Sequence, residues 1–325
     1  MELLTIYQLR SRADAHFEAV RQTPDVDTFC SSLDWMLPAY EAFIPDHPLL
    51  LCEGEHGFVT LARGFNPRIG RYFQPLEASW CLASPFAGPN PASLIAEFAE
   101  ELKTRNMEWD VLYLSGIPQT EAWMRPLLKH FGGEHRIGLG HETKRYIASI
   151  AGGTEGFLSR RSAKFRANLR QAERRCDKES IRFEVVTDVS LNDVDKLYDR
   201  ISNVEERSWK GKLGSGILDG GMNAFYRIML PRLARRGALR VVFAVQGEET
   251  VGFVFGGVLG STYRGLQLSF DERFQSCSLG NVLQFKIIEI LCQEGVLDYD
   301  LGSELEYKGR WAEERLSTFT LWIWK

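Results

Sequence analysis

The stretch GLQLSFDERFQSCSLGNVLQFKIIEIL, Gly265 to Leu291, decides how the second half of this chain is read. It opens as a strand, passes through a turn with small residues, and becomes a helix near Leu279. A helix start leaves about four main-chain N–H groups without intrahelical partners, and its dipole favours an anion there. Gly280 lets a ligand approach that backbone closely, so the main chain of Ser278, Leu279, Gly280, Asn281, Val282 and Leu283 is a candidate phosphate cradle. A plainly capped helix is the simpler reading, and the motif decides nothing alone.

The elements around it add an order. Upstream lie three consecutive strands, ALRVVFAVQ (238–246), ETVGFVFGGVLG (249–260) and TYRGLQLSF (262–270), the first two joined as a hairpin. Before them come a basic helix at about 159–178, the strand IRFEVVT (181–187) and a helix from about 190 to 207 opened by a Ser-x-x-Asp pattern. A glycine-rich loop at 211–221 and a helix at about 222–236 complete that side. Downstream, the helix that starts near Leu279 runs to about 294, followed by VLDYDL (296–301), the polar block YDLGSELEYKGRW (299–311) and a last strand, LSTFTLWIW (316–324). The first half alternates less regularly: helices over 8–22, 27–43, 90–106 and 121–131, and strands over 48–54, 57–64, 70–77, 109–118 and 143–150. The expected class is α/β with mixed sheets, in two domains of residues 1–145 and 146–325.

Composition bounds the function. With 325 residues, 44% apolar and 25% charged, the chain suits two globular domains. A net charge of −4 supplies no global field for nucleic acid, so any such contact needs a local patch. The six cysteines form no Cys-x-x-Cys pair, as expected of reduced thiols in a cytoplasmic protein. The N-terminus meets acids and arginines too soon for a signal peptide, and no apolar run approaches the roughly 20 residues of a membrane span. The six histidines are dispersed, so no metal site is expected.

Two further stretches carry candidate chemistry. In NVEERSWKGK (203–212), Glu205 or Glu206 would orient or deprotonate an acceptor amine, with Trp209 covering the pocket; an exposed acidic helix end is the plainer alternative. The helix at 159–178 carries seven basic residues between Arg160 and Arg175, with Arg166, Arg170 and Arg174 in one stripe opposite Phe165, Leu169, Ala172 and Cys176. It is a solvated amphipathic helix, a docking face for a polyanion or, least favoured for want of Trp and a large apolar face, a membrane contact.

The order of a strand, two helices, three antiparallel strands, a phosphate-ready helix start and a further strand resembles the GNAT superfamily of N-acyltransferases. SAKFRANLRQAERR (162–175), EERSWKG (205–211), SFDERFQSCSLGNVL (269–283) and YDLGSELEYKGRW (299–311) narrow the likeness to the BioF2-like, or CelD-like, acetyltransferases, relatives of the Fem-type aminoacyl transferases. The resemblance covers roughly 157–325, and it implies tandem GNAT-like lobes of which the first is degenerate. It implies that the strand ending near Phe270 splays from the strand near 300, with the donor arm in the gap lined by Leu268, Ser269, Phe270 and Asp271. It also turns Asp300, Glu304, Tyr307 and Lys308 toward the acyl carbonyl, beside Trp311. CSLGNV keeps only the glycine of the superfamily's usual donor loop, which leaves acyl-CoA, acyl carrier protein and aminoacyl-tRNA as donors. The expected activity is acyl transfer from a thioester to a small-molecule or peptide amine, with Lys308 or main-chain N–H groups on the oxyanion and Tyr307 as a proton source. Carrier protein or tRNA would dock on the basic helix at 160–175. A Fem-type transferase using charged tRNA, and a non-catalytic GNAT shell that only binds, are the alternatives.

Overall fold

In the computed structural model, residues 1–214 and 216–325 are described; Ser215, inside the expected glycine-rich loop, lies outside the described residues. The chain divides into two compact units, Met1–Lys144 with Ser317–Lys325, and Arg145–Leu316. The last expected strand thus has most of its length in the unit formed by the first half.

The first unit begins with β1 (Glu2–Leu3), α1 (Ile6–Ser11), α2 (Ala13–Gln22) and α3 (Leu33–Phe43). The single helix expected over 8–22 is two, which meet at Arg12. The helix expected from 27 starts only at Leu33, because the Asp27 carboxylate takes the Cys30 N–H at 2.9 Å and winds the preceding residues into turns. There follow β2 (Leu49–Gly54), β3 (Gly57–Asn66), β4 (Gly70–Pro75), β5 (Phe86–Ala87), α4 (Pro91–Thr104), β6 (Val111–Pro118), α5 (Glu121–Phe131) and β7 (Arg136–Ser149). In α4, Asn90 caps the Ser93 N–H at 3.2 Å with Pro91 at the first position, and Leu94, Ile95, Phe98 and Leu102 enter the core.

The second unit contains α6 (Gly153–Ser159), α7 (Ala163–Lys178), β8 (Ile181–Val186), α8 (Val194–Arg207), α9 (Trp209–Lys212) and α10 (Gly220–Arg235). Then come β9 (Leu239–Gln246), β10 (Glu249–Leu259), β11 (Thr262–Phe270), α11 (Leu279–Gln293), β12 (Asp298–Ser303) and β13 (Glu314–Trp324), whose first residues belong to this unit. The Ser-x-x-Asp pattern does not cap α8: the Ser190 hydroxyl donates to Asp193 at 2.6 Å inside a short 3-10 turn, and the α-helix starts one residue later.

In the first unit the sheet order is β1-β2-β3-β4-β6-β13, antiparallel except for β4 and β6. In the second, β8, β9, β10 and β11 are antiparallel neighbours, β12 runs parallel to β11, and the end of β7 pairs antiparallel with β12. The near-continuous apolar run Val241 to Val245 in β9 is buried throughout, as expected of a strand covered on both faces. On one side of this sheet α11 buries Leu279, Val282, Leu283, Ile287 and Ile288, and α7 adds Leu169, Ala172 and Cys176 to the same core.

Candidate active site

β11 and β12 pair only at Thr262–Asp298, Tyr263–Tyr299 and Arg264–Asp300. Beyond Arg264, β11 continues to Phe270 along β10 while β12 leaves it, as the resemblance implies. A register shift opposite Gly256 makes Leu266 an extra residue at the point of parting. Gly265 is required there, since a Cβ would sit 2.7 Å from the Tyr299 ring. The parting opens a cavity of about 630 Å³ whose walls come from β11, the start of α11, α9 and the segment after β12.

Two lysines reach this cavity. Lys210, at the start of α9, donates to the Leu268 carbonyl at 2.8 Å and to Gln267 Oε1 at 3.1 Å, and Gln267 donates onward to the Tyr226 hydroxyl at 2.9 Å. Burial lowers the pKa of Lys210, against the pull of Glu205. Lys308, on a 3-10 turn, donates to the Ser303 carbonyl at 2.9 Å. Burial, then the charge of Arg264, push its pKa down to about 8, with Lys210 adding to the effect and Asp300 opposing it. Behind the lysines, Asp300 is 3% exposed and binds both Arg264, at 2.8 Å, and Arg145, while its other oxygen accepts the Gly302 N–H at 2.7 Å. Burial would raise its pKa, but the two guanidinium groups outweigh that and hold it low.

The expected residues divide into those on the cavity and those behind it. Leu268, Ser269 and Phe270 on β11, Ser278, Gly280 and Asn281 at α11, and Trp209, Tyr307, Lys308 and Trp311 all line it. Leu279, Val282 and Leu283 send their side chains into the core, so only their main chain remains available to a ligand. Asp271 is not on the wall either. It is 3% exposed, pairs with Arg207 at 2.9 Å and Arg273 at 2.8 Å, and these partners overcome burial to hold its pKa at about 2. Its role in the structure is to fix the turn into α11. Glu205 is wholly buried and accepts from the Ile217 N–H at 3.3 Å and the Ser208 hydroxyl at 3.4 Å, which clamps the loop after α9. Glu206 is exposed on α8. Glu304 pairs with Arg315 and accepts from Tyr146 at 3.1 Å. None of these carboxylates lines the cavity. Trp311 is 3% exposed and packs edge-on to Phe165 at 4.9 Å, so it is a core residue with one edge on the cavity.

Sequence reasoning did not single out Lys210, Gln267, Arg264, Arg145 or Gln284. Gln284 is 6% exposed on the buried face of α11, and its amide nitrogen has no partner among the described residues. A polar residue on the helix face shared by Gly280 and Ile288 was the available signal.

A second cavity, also of about 630 Å³, shares Asn281, Tyr307 and Trp311 with the first. Arg160, Arg161, Lys164 and Arg310 line it, with no acid among its lining residues. Arg161 is 6% exposed, pairs with Glu313 at 2.7 Å and lies over the Phe157 ring, while its Nε has no partner. Within the expected basic stripe, Arg170 and Arg174 are exposed, but Arg166 is tied to the carbonyls of Leu158 and Arg161. Among the described residues there is no group of three or more potential metal ligands, and no helix is long and apolar enough to cross a membrane.

The comparisons with known proteins agree with this architecture. The family model described as an acetyltransferase (GNAT) domain matches residues 163–309. Among solved structures, FemX is similar at a TM-score of 0.68 with 11% identity, covering 98% of this chain and 97% of that one. A conserved protein of unknown function from Bacteroides thetaiotaomicron is similar at 0.65 with 9% identity over 97% of each chain. The C-terminal domain of a putative lysylphosphatidylglycerol synthetase from Agrobacterium fabrum is similar at 0.55 with 15% identity, over 94% of this chain and 91% of that one. No curated protein sequence matches the chain. At these identities the structural likenesses speak for the fold alone, whereas the family match falls on the segment that supplies most of the cavity lining: residues 163–309 match the model of an acetyltransferase (GNAT) domain.

Proposed function

We propose that the second unit moves an acyl group from a thioester donor, an acyl-CoA or an acyl carrier protein, to a primary amine by direct attack. The observation that carries this reading is the parting of β11 from β12 after Arg264, which opens a slot with Lys308 on its wall. The donor arm would lie along Leu268 to Phe270, with its phosphates at the uncapped start of α11, where Ser278 makes no side-chain cap. The neutral amine nitrogen attacks the carbonyl carbon, the C–N bond forms and the C–S bond breaks. One proton passes from nitrogen to the departing thiolate, through water or Tyr307. The Lys308 ammonium would hold the oxyanion in between. Asp300 acts through Arg264 and Arg145, and positions that wall rather than touching substrate.

The four cations of the second cavity support a donor with an anionic end beyond the slot, and they favour one further reading, an aminoacyl-tRNA donor as in the Fem-type relatives. Free-thiol release from acetyl-CoA and longer acyl-CoAs, measured with a panel of amines, tests the proposal, and the acylated amine should appear by mass. Transfer from charged tRNA with none from any thioester would select the second reading. Binding of donors without transfer to any amine would leave only a binding shell.

A further inference from the structure

The proposed reaction leaves the acceptor unspecified, and the cavity wall restricts it. Two charged side chains line the slot, Lys210 and Lys308, and both are cations. Behind them Arg145 and Arg264 both pair with Asp300. The other acid close to Lys210, Glu205, is wholly buried and engaged with Ile217 and Ser208. The lining of the slot thus carries two cations and no carboxylate. A simple alkylammonium would enter this field unfavourably.

Ser269 makes the observation more specific. It is 3% exposed, it lines the slot, and its hydroxyl has no hydrogen-bond partner among the described residues. β11 pairs regularly with β10 from Gln267 to Phe270, so Ser269 shares a face with Gln267, the side chain that holds the Lys210 ammonium. A buried hydroxyl without a partner is costly unless a ligand supplies one. A hydroxyl and an ammonium on one face, with no acid lining the slot, are the complement of an anionic oxygen group.

We propose that the acyl acceptor is an amine that also carries an anionic oxygen group, a carboxylate or a phosphate monoester, bound by Lys210 and Ser269. This rests on the acyl-transfer reading of the same slot. The anion anchors the substrate where its charge is compensated, while the surrounding cations disfavour the ammonium form of the reacting nitrogen. The amine therefore arrives in the neutral form that attacks, which explains how the site works with no carboxylate base on its wall.

The test uses the full-length protein, acetyl-CoA as donor and matched pairs of acceptors: glycine against glycinamide for a carboxylate, and O-phosphoethanolamine against ethanolamine for a phosphate. At least one anionic member should show kcat/KM roughly tenfold or more above its neutral partner, and the pair that shows it identifies the group. Lys210→Met and Ser269→Ala should each bring that ratio toward one, and Lys210→Arg should retain much of it. Equal or better turnover of the neutral members overturns the proposal. If no acceptor is turned over with acetyl-CoA, a longer acyl-CoA or an acyl carrier protein, the acyl-transfer reading fails. Calorimetric titration of the same pairs then still decides the preference: heat from the anionic member alone supports it, and equal heats or none from either member overturn it.

Discussion

In the first unit, β4 and β6 pair in parallel at Tyr72–Val111 and Phe73–Leu112; in the second, β11 and β12 pair in parallel over three residues. Both pairs come after three antiparallel strands and are joined through a helix, α4 in one case and α11 in the other. The two units differ in how the space beyond the paired residues is used. In the first unit the chain that leaves β4 turns back onto β6: the Ser115 hydroxyl donates to the Ala83 carbonyl at 3.1 Å, and the Cys81 thiol lies 3.0 Å from the Tyr113 hydroxyl. Gly116 is needed because a Cβ would sit 2.4 Å from the Ala83 carbonyl carbon. The buried Glu77 carboxylate fixes this turn by taking the N–H groups of Trp80, Leu82 and Ala83 at 2.6, 3.1 and 3.2 Å. In the second unit the corresponding space is the cavity with Lys210 and Lys308 on its wall. One topology thus serves two ends. In the first unit the chain fills its own gap, and in the second, where the gap stays open, the Ser269 hydroxyl and the Gln284 amide nitrogen on the wall lack partners among the described residues.

The largest effect should come from Asp300→Ala. It leaves Arg145 and Arg264 buried around a missing charge, which costs about 3–5 kcal/mol of stability. Chemical denaturation should show that loss, and an unchanged midpoint would remove Asp300 from its role as the pin of the catalytic wall.

Lys308→Met comes next. Loss of an oxyanion partner should raise the barrier by about 2.7–4 kcal/mol, or roughly 10²–10³ in kcat. Its pH dependence is a second readout. Lys308 has a pKa of about 8 in the fold, below the usual lysine range, so its charge costs stability fully below pH 8. That cost is relieved as pH rises through 8 toward the unfolded value, so stability gains from this group over that window. The rate should move the other way, falling above pH 8 as the ammonium is lost, and Lys308→Met should lack that limb. A limb that rises through pH 8 and is lost in Lys308→Met would instead make Lys308 a base.

Glu77→Gln is the counterpart in the first unit. It weakens a buried carboxylate that three N–H groups share, at about 1–3 kcal/mol of stability, and turnover per folded molecule should stay as in wild type. A fall in turnover at matched folded fraction would show that the filled gap also contributes to activity.

The open side of this contrast was legible in the sequence. The order of elements in the second half and the segment from Gly265 to Leu291 carry local signals, namely strand-forming runs, a small-residue turn and helical spacing, and these placed β11, α11 and the polar block after β12. Long-range pairing was not legible. Arg145 meets Asp300 across 155 residues, and no local pattern reports such a contact. Glu205 and Glu206 are adjacent on one helix and look alike in sequence, yet one is wholly buried and the other exposed, because the loop near Ile217 folds over only the first. Trp311 looked like a pocket wall and is mostly core, since α6 and α7 bring Phe157 and Phe165 against it. In the first half, the Asp27 turn and the break at Arg12 shortened helices that periodicity alone extended.

The central claim is that the open gap binds donor and the filled one does not. Amide hydrogen exchange with and without a saturating acyl-CoA measures both gaps in one experiment. The account predicts slower exchange at Leu266 to Phe270 and at Ser278 to Leu283, with no change at Cys81 to Ser84 or Tyr113 to Gly116. Protection confined to the first unit, or a donor that binds without slowing exchange along β11 and the start of α11, would contradict it.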